Sequence, residues 1–92
     1  MKTVPTSHVR LRGPLKALAG GAEHEVTGAT VGELLRELER AKPSLDGWIL
    51  DERDRIRRHI NVFVNGERGS AETPVAEGDQ VDVLPAISGG SA

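Results

Sequence analysis

The strongest local signal in the sequence is that of one amphipathic α-helix, and the rest of the fold has to cover its apolar side. Thr30 is followed three residues later by Glu33, which is the pattern of a capping box at a helix start. Apolar residues then recur at the helical period, at Val31, Leu34, Leu35, Leu38 and Ala41. The charged residues between them are expected to face solvent, namely Glu33, Arg36, Glu37, Glu39 and Arg40. Pro43 disfavours helical geometry at Lys42, so we predict a helix over 31–41.

Residues on both sides of this helix alternate between apolar and polar, which predicts β-strands. The predicted strands lie at 8–12, 23–27, 60–64 and 80–85, with a short, weakly marked strand between the last two, and we expect the first two to pair antiparallel. Asn65–Gly66 is a typical hairpin turn, and Glu77–Gly78–Asp79 marks a second turn. The apolar residues expected to fold beneath the helix are Leu45, Trp48, Ile49 and Leu50. This order of elements predicts an α+β fold in which one mixed sheet carries a single helix across one face.

Length and composition limit the possible functions. A chain of 92 residues makes one domain with a thin core. Its 12 basic and 14 acidic side chains give a net charge of −2, which argues against nucleic acid as a partner. No apolar run reaches the roughly 20 residues of a membrane helix, and the N-terminus has no signal-peptide pattern, so we expect a cytoplasmic protein without a membrane partner. The absence of cysteine excludes disulfides, thiolate metal sites and a cysteine nucleophile.

No group of residues has the spacing of a catalytic or metal site. The histidines are His8, His24 and His59. They lie far apart on different predicted elements, and we therefore predict no metal site. Asp51, Glu52 and Asp54 interleave with arginines, a pattern typical of a solvated loop rather than of an acid–base pair. We expect no intrinsic enzyme activity.

Three segments of the sequence carry a resemblance to a known family. They are TVGELLREL at 30–38, INVFVNGE at 60–67 and EGDQVDVLPAISGG at 77–90, and their order along the chain is more specific than any one of them. Together they resemble the ubiquitin-like sulfur carriers of the ThiS/MoaD-like family, and among these the CysO-type branch associated with cysteine synthase. The resemblance runs from about Val9 to Gly90. It implies a β-grasp domain over residues 1–88, followed by a flexible tail over 89–92 that carries the Gly-Gly pair.

The resemblance also implies a chemistry for this tail. In the family, an E1-like adenylating enzyme consumes ATP to activate the C-terminal glycine carboxylate, which here is that of Gly90. Sulfur then displaces AMP and leaves a thiocarboxylate, which is passed to a sulfur-accepting biosynthetic enzyme of the cysteine synthase-like or thiazole synthase-like kind. Ser88 and Gly89 would thread through the partner's channel, because a segment without bulk can extend there. Such a carrier binds no cofactor of its own and is acted on by partner enzymes.

Ser91 and Ala92 depart from the family pattern. Two extra residues place the terminal carboxylate up to ~7 Å beyond Gly90 and add side chains that the channel does not expect. The chain as written is therefore not expected to be activated. Either a JAMM-type metallopeptidase removes Ser91 and Ala92, or the two residues are an engineered addition.

Phe63 and Leu84 are candidates for partner docking. Alternation turns Phe63 away from Val62 and Leu84 away from Val83, so both should lie on the sheet face that the helix leaves uncovered. Ile87 is placed with them, and the basic residues within 53–58 are a further candidate for electrostatic steering. Two alternative functions stay open, a ubiquitin-like binding module without sulfur chemistry and a small subunit of molybdopterin synthase. The receiving pathway also stays open among cysteine, thio-containing cofactors and secondary metabolites.

Overall fold

The computed structural model describes residues 4–85, which form one sheet, two α-helices and a 3-10 turn. The strands are β1 (Thr6–Leu11), β2 (Glu23–Thr27), β3 (Ile60–Val64), β4 (Glu67–Arg68) and β5 (Gln80–Pro85). The helices are α1 (Pro14–Ala19) and α2 (Val31–Ala41), and the 3-10 turn is Pro43–Leu45. The predicted α+β arrangement is confirmed, because the long helix α2 packs on one face of a single mixed sheet.

The order of the strands across the sheet is β2-β1-β5-β3-β4. β1 and β2 pair antiparallel, as predicted, while β1 and β5 run parallel with Val9 opposite Val81. β3 pairs antiparallel with β5. A parallel pair needs a long crossover, and the chain between β1 and β5 supplies it with α2. The last strand of the described residues, β5, therefore lies in the centre of the sheet, and its final residue, Pro85, lies opposite Ile60.

Helix α2 begins and ends as the sequence predicts. The Thr30 hydroxyl accepts a hydrogen bond from the Glu33 backbone N–H at 3.3 Å, and the Glu33 carboxylate accepts one from the Ala29 N–H at 2.9 Å. The two bonds satisfy backbone donors at the helix start, as a capping box does. The helix ends at Ala41, two residues before Pro43.

The hydrophobic core lies between α2 and the sheet. Its fully buried side chains include Val9, Leu11, Leu15, Val31, Leu34, Leu35, Leu38, Leu45, Ile49, Val62, Val81 and Val83. The apolar stripe predicted for α2 is confirmed from Val31 to Leu38, and so is the burial of Leu45, Ile49 and Leu50 beside it. One continuous core therefore joins the helix, the sheet and the segment that follows the helix.

Several details of the sequence prediction are wrong. Trp48 is 47% exposed instead of packed beneath the helix. Ala41 is exposed, because the helix ends there and no further turn continues the stripe. Helix α1 was not predicted, because its six residues are too few to show a helical period.

Glu39 is also placed differently from the prediction, which had it facing solvent. Its side chain is buried, with the residue only 9% exposed. Its Oε2 atom accepts hydrogen bonds from the backbone N–H of Ile49 at 3.0 Å and of Leu50 at 2.9 Å. The carboxylate thus fixes the segment after the 3-10 turn against α2, and the burial of the charge is compensated by two donors.

Candidate functional site

The sheet face opposite α2 carries the alternate residues of each strand, and we call it the open face. Its residues are His8 and Arg10 of β1, Glu23 and Glu25 of β2, Asn61 and Phe63 of β3, Arg68 of β4, and Gln80, Asp82 and Leu84 of β5. Their neighbours on the same strands point into the core, since Val9, Val62, Val81 and Val83 are buried. The open face is therefore mostly polar, with Phe63 and Leu84 as its apolar members.

Phe63 and Leu84 lie on neighbouring strands of the open face. The register places Phe63 opposite Asp82 and Leu84 opposite Asn61, so the two apolar residues are diagonal neighbours. Diagonal neighbours in a sheet are roughly 7–8 Å apart, within reach of each other's side chains. Both are half-buried rather than fully exposed. The predicted orientation of the two residues is confirmed, and their role in docking stays a prediction.

Polar side chains surround this apolar pair. Arg68 Nη2 donates a hydrogen bond to Asn61 Oδ1 at 2.7 Å, on the side of the pair toward β4. Toward β1, Asp82 Oδ1 lies 4.0 Å from Arg12 Nη2 and accepts a bond from Gln80 Nε2 at 3.4 Å. An apolar centre within a polar rim of both charges is the usual composition of a protein-binding surface.

Two turns hold β3 and β5 in the register that makes this patch. Asn65, with φ +51°, accepts a hydrogen bond on Oδ1 from the Gln80 backbone N–H at 3.0 Å, and its Nδ2 donates to Asp79 Oδ1 at 3.0 Å. The other Asp79 oxygen accepts from the Ala76 N–H at 2.8 Å. These donors, the Ala76 N–H first, lower the pKa of the Asp79 carboxyl below its ordinary value. The Asn65–Gly66 and Glu77–Gly78–Asp79 turns therefore interlock instead of acting separately.

The last described residues of the chain lie at one end of the open face. Leu84 lies on that face, and Pro85 after it lies opposite Ile60 at the end of the sheet. The predicted tail and docking residues Ile87, Ser88, Gly89 and Gly90 lie outside residues 4–85, as do Ser91 and Ala92. The docking candidates Phe63 and Leu84 thus lie on the strand that ends at Pro85, the last described residue, and on its neighbour.

The acidic residues of the loop after α2 have structural roles. Asp51 Oδ1 accepts hydrogen bonds from the backbone N–H of Arg53 at 2.8 Å and of Arg55 at 2.9 Å. The hydrogen bond from the Arg55 N–H is the largest of several causes that hold the pKa of the Asp51 carboxyl below its ordinary value. Asp54 forms an ion pair with Arg36 at 3.0 Å. The carboxylate of Asp51 is thus engaged by two backbone donors of the loop, and that of Asp54 by the Arg36 guanidinium.

Residues 4–85 contain no cluster of three or more His, Cys, Asp or Glu side chains suited to a metal ion. Two of the histidines contact other groups: His8 Nε2 lies 3.0 Å from Glu23 Oε1, and His24 Nε2 lies 3.0 Å from the Gly21 carbonyl oxygen. Within the same described range, neither helix is long and apolar enough to cross a membrane.

Sequence reasoning missed one surface, which we call the arginine groove. It has a volume of about 520 Å³ and runs between the loop at 55–58 and the segment at 68–72. It is lined by Arg55, Arg57, Arg58 and Arg68, by Glu72, and by the apolar residues Ile56, Ile60 and Val62, of which Ile60 and Val62 are buried. The sequence shows the basic run within 53–58, but no spacing in it predicts that residues 68–72 form the opposite wall.

Comparison with known proteins connects this geometry to a family. The sequence model of the ThiS family matches residues 9–90, which is most of the chain and includes both glycines of the tail. The chain belongs to the ThiS family. The resemblance seen in the three sequence segments is thereby confirmed.

Individual relatives of this ThiS family chain are carriers or modifiers by name. This chain is 37% identical to small archaeal modifier protein 1 of Haloferax volcanii over 62 residues, which cover 67% of this chain and 71% of the relative. It is 30% identical to the sulfur carrier protein CysO of Mycobacterium tuberculosis over 83 residues, or 83% of this chain and 89% of the relative. The relatives are small carrier or modifier proteins rather than enzymes, which supports a carrier at this general level.

A solved structure confirms the fold. A chain in the crystal structure of the BexX/CysO complex of Amycolatopsis orientalis superposes with a TM-score of 0.79 at 31% identity, covering 89% of this chain and 97% of that one. The β-grasp prediction is therefore correct, with one mixed sheet and one long helix across it.

Proposed function

We propose that this ThiS family chain is a sulfur carrier that works through the carboxylate of Gly90. The observation that carries the proposal is the family match, which extends through Gly89 to Gly90. The open face adds support, because Phe63 and Leu84 are neighbours on it and Leu84 is only six residues before Gly90 in the chain. A partner that receives the tail can therefore contact both at once.

The proposed reaction has two steps on partner enzymes. A Gly90 carboxylate oxygen attacks the α-phosphorus of ATP on an E1-like adenylating enzyme, and pyrophosphate leaves. A sulfur nucleophile then attacks the acyl carbon, and AMP departs with the oxygen, so that one oxygen of the carboxylate is replaced by sulfur. A carboxylate needs this activation because its oxygen is a poor leaving group until it is joined to phosphate. The carrier supplies the acyl group and the docking surface, and the partner consumes the ATP.

Ser91 and Ala92 bear on when activation can occur. We propose that only a chain ending at Gly90 is a substrate, because the two extra residues move the carboxylate up to ~7 Å away. A JAMM-type metallopeptidase is the proposed enzyme for their removal. If the two residues are instead an engineered addition, the natural chain needs no such step.

The open face is the proposed docking surface for the adenylating enzyme and for the sulfur acceptor. Phe63 and Leu84 supply its apolar anchors, together with Ile87 in the tail. The identity to CysO over most of both chains favours an acceptor of the cysteine synthase-like kind over a thiazole synthase-like one. A cytoplasmic location is part of the same proposal, since the enzymes of such a pathway use ATP.

A second candidate function is protein modification. The identity to small archaeal modifier protein 1 favours it. The acyl adenylate of the reaction proposed above is also a suitable starting point for conjugation to an amine. The branch point is the nucleophile, since a lysine amine attacking the acyl carbon gives an isopeptide bond and sulfide gives a thiocarboxylate. The chain ending at Gly90 should therefore be incubated with adenylating enzyme and ATP in the presence of both sulfide and a lysine-rich protein, and its mass recorded. Exchange of one oxygen for sulfur supports the carrier, whereas conjugates to the added protein support the modifier.

A further inference from the structure

The arginine groove carries more positive than negative charge, because four arginines and one acidic residue, Glu72, line it, while Asp51 is close enough to Arg55 and Arg57 for their charges to lower its pKa. The arginine ion pairs in the described part of the chain join Arg12 to Asp82, Arg36 to Asp54 and Arg40 to Glu37, and none of them uses an arginine at 55–58. The Nε atom of Arg57 is screened from solvent without a hydrogen-bond partner. The groove is thus basic in a protein whose net charge is −2.

Both walls of the groove are fixed by the backbone. On one side, Asp51 orders the loop through the N–H groups of Arg53 and Arg55, and the Arg57 N–H donates to the Ile49 carbonyl at 2.9 Å. On the other side, the Gly69 N–H donates to the Val62 carbonyl at 2.9 Å. The arginines are therefore presented on an ordered frame, which lowers the entropy that a ligand has to remove on binding.

The groove adjoins the surface already proposed for docking. Arg68 lines the groove and also donates to Asn61 of the open face, so the two surfaces meet at β4. Ile60 lines the groove as well, and it lies opposite Pro85, which is four residues before the Gly-Gly tail. A protein that covers the open face and takes the tail can therefore reach the groove without a second binding event.

We propose that the arginine groove binds an acidic peptide segment of the protein that receives the tail. Arginine pairs with carboxylates through a planar fork of donors, and the partly buried side chain of Ile56 adds apolar surface beside the arginines that a peptide can cover. A nucleic acid is disfavoured, because acidic residues elsewhere on the chain would repel its phosphates. The inference rests on the proposed function only for the identity of the partner, and the charge and shape of the groove do not depend on sulfur chemistry.

The test uses decaglutamate as the probe and the full chain labelled with ¹⁵N. Backbone amide shifts are followed at roughly 50 mM salt, and we expect the changes to concentrate at residues 55–58 and 68–72 and to weaken at roughly 500 mM salt. The double variant Arg55→Ala/Arg58→Ala should lower the affinity for decaglutamate by at least about fivefold. The matched control, Lys16→Ala/Arg40→Ala, removes the same formal charge from α1 and α2 and should stay within about twofold of the parent.

Several results would overturn the proposal. One is amide shift changes spread over the whole surface, and another is an equal loss of affinity for decaglutamate in the two double variants. A third is tighter binding of a ten-residue oligothymidylate than of decaglutamate in the same groove, which would indicate a nucleic acid site. Thermal melting of each variant keeps the comparison valid, because Arg55 and Arg58 are exposed and their removal should leave the melting temperature unchanged. Failure of thiocarboxylate formation would not affect decaglutamate binding, so the two proposals fail separately.

Discussion

Replacing Glu39 by alanine removes the acceptor shared by two buried backbone donors, the N–H groups of Ile49 and Leu50. A buried donor left without a partner costs ~1–3 kcal/mol. Allowing for partial access of water to one of them, we expect the free energy of unfolding to fall by about 2–4 kcal/mol. A domain of 92 residues has a total stability of roughly 5–14 kcal/mol, so this loss is a large share of it.

The measurement is urea unfolding followed by far-ultraviolet circular dichroism. Glu37→Ala is the matched control, because Glu37 lies on the same helix and its carboxylate contacts only Arg40 at 3.4 Å among the ion pairs of residues 4–85. We expect the control to change the free energy of unfolding by less than about 0.5 kcal/mol. Glu39→Gln keeps one acceptor oxygen and should fall between the two. Equal, small losses for Glu39→Ala and Glu37→Ala would refute the structural role assigned to Glu39.

Three further predictions concern the open face, the interlocked turns and the start of α2. Phe63→Ala should weaken binding to the adenylating enzyme more than about tenfold and leave the melting temperature nearly unchanged. A lowered melting temperature, together with normal binding by the folded fraction, would instead place Phe63 in the core. The folded-state pKa of Asp79 is below its ordinary value of 3.8, so the stability it contributes is present above that value and lost as the pH falls through the lower one. Asp79→Asn should therefore flatten the acid limb of a plot of stability against pH, and an unchanged slope would contradict this. Gly28→Ala should lower the free energy of unfolding, measured by chemical denaturation, by ~1–3 kcal/mol, because the added Cβ would lie 2.8 Å from the Leu34 backbone nitrogen. No change in the free energy of unfolding would show that the helix start can shift to accommodate the methyl group.

The parts of the fold that sequence predicted well depend on local chemistry. The start of α2 follows from Thr30 and Glu33, and its end from Pro43, all within a few residues of the boundary they set. The hairpin at Asn65–Gly66 is likewise encoded by two adjacent residues with a preference for that turn. The orientation of Phe63 follows from alternation along one strand, which needs no knowledge of the partner strands.

The parts that were missed depend on contacts between distant segments. The helical period itself places Glu39 beside Leu35, four residues earlier. The charge of Glu39 nevertheless predicted an exposed side chain. Only the fold brings the two backbone donors, the N–H groups of Ile49 and Leu50, to its carboxylate. The arginine groove requires residues 68–72 to come against residues 55–58, which the sheet pairing of β3 with β4 brings about. Trp48 is exposed while its neighbours Ile49 and Leu50 are buried beside α2, a difference that an apolar run in a sequence does not reveal.

The most direct test of the central claim is the intact mass of two chains, one ending at Gly90 and one carrying Ser91 and Ala92. Each is incubated with ATP, sulfide and an E1-like adenylating enzyme that is first shown to convert its own carrier, and a reaction without ATP is the control. We predict that the chain ending at Gly90 gains the mass of one oxygen-to-sulfur exchange only when ATP is present, and that the longer chain stays unchanged. The absence of exchange at Gly90, with the enzyme active on its own carrier, would contradict the sulfur carrier account, and equal conversion of both chains would contradict the need for trimming.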